Sequence, residues 1–138
     1  MSHATKIITI QAPVDTVWKV ISDFAAGTKY LAMVTHCTVQ GSGAGALRTL
    51  TYRDGSVIFE RLEMVDEVTY CLSYSLLTDT QFGNCLTTMA LHALSPSQTQ
   101  LTWTADFQPI SLPANEALSL IEGMLADNCQ ILKQLLEP

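Results

Sequence analysis

The stretch LPANEALSLIEGMLADNCQILKQLLEP, Leu112–Pro138, decides the fold. Pro113 opens it, and proline suits the first turn of a helix. Apolar residues then recur every three or four positions, and Gly123 is the one breaker inside. The spacing predicts one helix from Pro113 to Leu136, about 24 residues and about 36 Å long. Such a helix carries an apolar stripe that another layer must cover.

The chain before it supplies that layer. Strands are expected near 34–41, 46–53, 56–66, 69–78, 84–94 and 98–107. Turn-rich separators divide them: GSGAG, RDGS, VDE, TDTQFGN and SPSQ. Near the N-terminus, KIITIQ alternates as a strand does. APVDTVWKVISDF then changes period, with Val14, Val17, Trp18 and Ile21 on one helical face. AAGTKYLAMV reads as a second short helix after a break near Gly27. The order is one strand, two short helices, six strands and one long helix. Short turns between consecutive strands imply an antiparallel meander. The expected class is α+β, a seven-stranded antiparallel sheet wrapped around the C-terminal helix, in a single domain spanning 1–138.

Composition narrows the function. Of the 138 residues, 48% are apolar and 14% charged, and the net charge is −6. That balance argues against a nucleic-acid binder, which needs clustered Lys and Arg. It argues equally against an anionic membrane surface. The first residues, MSHATKIITIQ, show no signal-peptide pattern, and no window is apolar enough for membrane insertion. Cys37, Cys71, Cys85 and Cys129 form no C-x-x-C pair, so they read as reduced thiols of a cytoplasmic protein.

One strand poses a question. In SVIFERLEMVDE, Ser56–Glu67, the period of two places Ile58, Glu60, Leu62 and Met64 on one face. A carboxylate facing a packed core is costly unless it is paired or wet. Arg48, on a face with Leu50 and Tyr52, is the candidate partner, expected diagonal to Glu60. A two-residue Asp54–Gly55 turn would set Glu60 opposite Thr49. A three-residue loop or a bulge would group it with Leu50 and Tyr52.

The element order resembles the helix-grip fold of the START/Bet v 1-like superfamily. APVDTVWKVISDF, KYLAMVTHCTVQGSGAGALRTL, ERLEMVDE and LADNCQILKQL sharpen the likeness to its polyketide cyclase/dehydrase-like branch. The same segments follow in the same order in the plant abscisic acid receptors. The resemblance covers nearly the whole chain and implies a cavity between sheet and long helix. It implies apolar walls from Leu50, Tyr52, Ile58, Tyr74, Leu76, Leu86, Leu120 and Met124. Thr35, Glu60, Thr88 and Asn128 would be its orienting polar groups. Glu60 matches the family's inward glutamate, whereas Asn128 could as well bond to nearby backbone.

The likeness also has gaps. The receptors' gate loop is reduced here to RDGS, and their latch to QFG, Gln81–Gly83. Their buried lysine falls on Thr35, which removes the expected cation for an acidic ligand. The expected function is binding of a small hydrophobic molecule (polycyclic, aromatic or lipid-like) by a monomer or weak homodimer. The alternative is a cyclase or dehydratase-type enzyme with Glu60 as general acid or base and Tyr52 or Tyr74 as hydrogen-bond donor.

Other motifs carry less. GSGAG joins two strands and lacks the Lys-Ser/Thr of a phosphate loop. His36 and His92 lie on different strands and His3 in an end expected to fray, so no metal or other cofactor is expected. For Trp103, hydrophobicity turns its own face inward with Leu101, Ala105 and Phe107. The family alignment instead turns Thr102, Thr104 and Asp106 inward.

Overall fold

Alternating residues extend Ser2–Ile10 as β1, and the apolar face Val17, Trp18 and Ile21 closes α1, Val14–Ile21, over the sheet. The computed structural model describes residues 1–78 and 80–138. Asp79, inside the turn expected at 78–84, lies outside the described residues. After a 3-10 turn at Phe24–Ala26 comes α2, Gly27–Tyr30. The strands follow as β2 Val34–Gln40, β3 Leu47–Tyr52, β4 Val57–Asp66, β5 Cys71–Leu76, β6 Phe82–Ser95 and β7 Gln98–Pro109. The chain ends in α3, Ala114–Leu136, which Pro113 precedes in extended conformation.

The sheet runs β1-β7-β6-β5-β4-β3-β2, and every neighbouring pair is antiparallel. This is the helix-grip arrangement the sequence predicts. Helix α3 packs on β1, β7 and α2 rather than along the middle of the sheet. Its buried stripe is Ala117, Ile121, Leu125, Cys129 and Leu132. Burying each of the three branched side chains contributes about 1.5–3 kcal/mol.

Several local expectations need correction. His3 does not fray: it lies in β1, opposite Asp106 of β7, and its Nδ1 hydrogen-bonds that carboxylate at 2.6 Å. The second helix does follow a break near Gly27, as expected, with the 3-10 turn ending at Ala26 and α2 beginning at Gly27. A Cβ there would stand 3.3 Å from side-chain atoms of Leu31 and Leu50, so those side chains would have to give by a few tenths of an ångström to admit one. Met64 leaves the inner face, because the pairing of β4 with β5 shifts between Leu62 and Met64.

The hairpin at RDGS is a three-residue loop. Leu50 faces Ile58 and Arg48 faces Glu60, while the Tyr52 N–H donates to the Ser56 carbonyl at 2.9 Å. Gly55 takes φ of +87°, a left-handed position that favours glycine. Asp54 closes the loop by accepting from the Ser56 N–H at 2.9 Å and the Ser56 hydroxyl at 2.6 Å. This register makes Arg48 and Glu60 direct cross-strand partners, where a diagonal pair was expected.

Candidate functional site

Because α3 leans on one side of the sheet, the rest of the inner face stays uncovered. The gap is a cavity of about 820 Å³. From β3 and β4 it is lined by Leu50, Tyr52, Ile58 and Glu60. From β5 come Tyr74 and Leu76, and from α3 Leu120, Met124 and Asn128. These three helical residues sit one position before the buried stripe Ile121, Leu125 and Cys129. So α3 seals one stripe against the fold and leaves the next one open.

Three residues expected in the wall lie elsewhere. Thr35 is exposed, and its hydroxyl donates to the Thr51 carbonyl at 3.2 Å. The pairing of β2 shifts between Val34 and His36, so Val34 takes the inward place. Leu86 and Thr88 project from the other face of β6. The pairing of β6 with β7 shifts between Gly83 and Leu86, around Asn84 at φ +48°. Cys85 and Thr87 line the cavity instead. The signal was legible, since Met89 and Leu91 share the parity of Cys85 and Thr87 while His92 shares that of Leu86.

Trp103 and Ala105 also reach the wall, so the tryptophan face of β7 is the inner one. Leu101, Trp103, Ala105 and Phe107 are all buried, as hydrophobicity predicts and the family alignment does not. Gln81 and Phe82 line the cavity at the place of the receptors' latch, beside the hairpin residues Asp54 and Ser56.

The polar centre is built on Arg48. Its side chain is 2% exposed and that of Glu60 is 12% exposed. Arg48 Nε donates to Glu60 Oε1 at 3.1 Å, and a second guanidinium nitrogen donates to the same oxygen. The third nitrogen donates to the Phe24 carbonyl at 3.3 Å. The guanidinium stacks over Phe24 at 4.0 Å and Tyr74 at 4.9 Å from the ring centroids. Burial works against its charge, but Glu60, followed by Tyr74 and Tyr30, outweighs burial and raises its pKa further. The chain therefore does hold a buried cation, contrary to the expectation drawn from Thr35. That cation is committed to Glu60 and does not line the cavity.

Both Arg48 bonds to Glu60 fall on Oε1. No hydrogen bond among the described residues engages Oε2, and Glu60 lines the cavity. The ion pair and the pocket role therefore coexist. Nearby, burial and then Glu60 push the Tyr52 phenol up to about 12, against the pull of Arg48. Burial and Glu60 likewise raise Tyr74 well above its ordinary value. Both phenols stay protonated at neutral pH and can therefore act as hydrogen-bond donors. Asn128 Oδ1 accepts from the Ala32 N–H at 2.8 Å, tying α3 to the loop before β2. Its backbone role is thus real, and the same residue borders the cavity.

Among the described residues, the charged groups of the wall are Asp54, Glu60 and Asp127, all acidic. The wall is otherwise mainly apolar. It can hold a hydrophobic body and orient it through a few donors, and it offers an anion no counter-charge.

Fold and site together define a helix-grip protein of the START type with an open inner cavity. The chain belongs to the polyketide cyclase/dehydrase and lipid transport family, whose model matches residues 1–137. Protein XoxI of Bacillus cereus is 25% identical and superposes with a TM-score of 0.90, over 99% of this chain and 96% of that one. A START superfamily protein of Mycobacterium smegmatis shares the fold at 16% identity and TM-score 0.84, over 97% and 96% of the two chains. An aromatase/cyclase of Streptomyces does so at 21% and 0.76, over 94% and 87%. An abscisic acid receptor of Arabidopsis thaliana is 33% identical over 72 residues, 49% of this chain and 34% of the receptor. The match thus spans about a third of the receptor's length. No helix of the described residues is long and apolar enough to cross a membrane.

Proposed function

We propose that this protein binds one small, neutral, hydrophobic molecule in the cavity between the sheet and α3, as a carrier. The observation that carries the reading is the second stripe of α3. Leu120 and Met124 face about 820 Å³ of space across from Leu50, Ile58 and Leu76, where a closed core would have packed them. The all-acidic charge of the wall favours a neutral body over a fatty acid or other carboxylate. For the same reason abscisic acid is a poor ligand here, although a receptor for it is a relative.

A second reading rests on Glu60 Oε2, with Tyr52 and Tyr74 as protonated donors on the same wall. These groups suit a cyclase or dehydratase-type reaction in which Glu60 moves a proton and a phenol holds an enolate-like oxygen. The carrier reading is preferred because Glu60 is engaged by Arg48, and the other wall carboxylates sit on different elements, Asp54 bonded to Ser56 in the hairpin loop and Asp127 on α3.

Native mass spectrometry of the purified protein tests the proposal. The expected spectrum carries one small-molecule adduct, either co-purified or acquired from 9-fluorenone. Met124→Trp, which adds bulk to the cavity wall, reduces it. A wild-type spectrum with no adduct after incubation with neutral polycyclic ketones overturns the reading.

A further inference from the structure

The outer face of the sheet, turned away from the cavity, carries its own cluster of reactive groups. His3 and Thr5 alternate with the buried Ala4 on β1, so their side chains leave the sheet on the same outward side. Asp106 of β7 lies directly across from His3. His3 Nδ1 stands 2.6 Å from Asp106 Oδ1, and His3 Nε2 stands 2.8 Å from Thr5 Oγ1. The side chains of His3 and Asp106 are 59% and 45% exposed, and Thr5 is exposed as well, so a molecule in solution can reach all three.

The two contacts fix the direction of each bond. A carboxylate only accepts, so the neutral imidazole keeps its proton on Nδ1 and donates it to Asp106. Nε2 then carries a lone pair, and the Thr5 hydroxyl donates to it. The order is hydroxyl nucleophile, base and orienting carboxylate, each link within hydrogen-bond reach. Thr104 of β7 is the direct cross-strand partner of Thr5, and its hydroxyl makes no hydrogen bond among the described residues. It is a free donor beside the nucleophile. Ile7, the next outward residue of β1, is 55% exposed and offers an apolar rest on the other side.

We propose that Thr5, His3 and Asp106 form an acyl-transfer site on the outer face, with small neutral esters as its substrates. Thr5 Oγ attacks the ester carbonyl while His3 Nε2 takes the hydroxyl proton, and Thr104 donates to the carbonyl oxygen as it gains charge. The bond from the acyl carbon to the alcohol oxygen breaks, and His3 returns the proton to that oxygen. Water then attacks the acyl-threonine with His3 again as base. The acid leaves, and the proton goes back to Thr5 Oγ. Asp106 is a positioning residue that holds the ring in the tautomer the first step needs. The net charge of −6 favours a neutral ester over an acyl phosphate. This site is separate from the cavity, and its activity does not depend on what the cavity holds.

The test is hydrolysis of p-nitrophenyl acetate by the full chain, with mass-spectrometric peptide mapping of the protein after an acid quench. The expected map places the acetyl group on Thr5. Thr5→Val and His3→Gln should each slow turnover about a hundredfold, the low end of what a positioned base contributes. Thr5→Ser should keep it. Asp106→Asn should lower kcat and leave KM in place, because Asp106 touches no part of the ester. The peptide map needs no variant, so it decides even where a substitution harms folding. Turnover by Thr5→Val as fast as by the wild type, or acetyl groups on His3 or lysines with none on Thr5, overturns the proposal. So does a wild-type rate no higher than that of buffer.

Discussion

Arg48 and Glu60 face each other across β3 and β4, the guanidinium buried behind the wall and the carboxylate forming part of it. One pair thus links the stability of the sheet to the chemistry of the cavity. Glu60→Gln removes the negative charge and leaves a buried cation with the Phe24 carbonyl and two aromatic rings. The expected loss of stability is about 3–5 kcal/mol, read by urea denaturation. The double variant Arg48→Met/Glu60→Leu should lose much less, because no charge then stays buried. Equal losses in the two would show that the pair's packing, not its charge, matters.

Alkali should destabilise the fold through its buried phenols. Tyr52 keeps its proton up to about 12 in the folded chain, against about 10 when unfolded. Below pH 10 both states hold the proton, and this residue adds no pH dependence. Between 10 and 12 only the unfolded phenol ionises, so stability falls as pH rises. The loss from Tyr52 is about 2–3 kcal/mol, and the raised values of Tyr74 and Tyr30 act in the same direction. Thermal melts between pH 8 and 12 should show it, and Tyr52→Phe should flatten the fall. A melting temperature constant to pH 12 would contradict this.

Abscisic acid should not bind. Thr35 stands where the receptors' lysine would be and points away from the cavity, while Arg48 is already paired with Glu60. Calorimetric titration should give only the heat of dilution. Micromolar affinity would mean that Arg48 exchanges Glu60 for the hormone's carboxylate.

Gly123 borders the cavity from the middle of α3, and a Cβ there would meet nothing within 4 Å. Gly123→Ala should therefore stabilise the protein by about 0.8–1.0 kcal/mol through helix propensity alone. Denaturant melts check this, and a destabilised variant would mean that the helix needs glycine for a bend or a close approach.

The sequence made the frame legible because each element carried its own period. The 3.6-residue rhythm of the segment after Leu112 and the turn residues between strands gave the order, and the strand ends differ by a few residues. The site was legible wherever parity was regular, as for Leu50, Tyr52, Ile58 and Glu60. It failed where the sheet pairing is irregular. Thr35 and Leu86 both lie beside register shifts, and one residue of slip turns a side chain to the opposite face.

The most direct measurement is a carbon-13 methyl spectrum of the protein titrated with 9-fluorenone. The methyls of Leu50, Ile58, Leu76, Leu120 and Met124 should shift together and saturate at one equivalent. Those of Leu47, Leu86 and Leu94, all exposed and outside the cavity wall, should stay in place. Shifts confined to that second set, or none in either, would contradict the claim that this cavity binds a ligand.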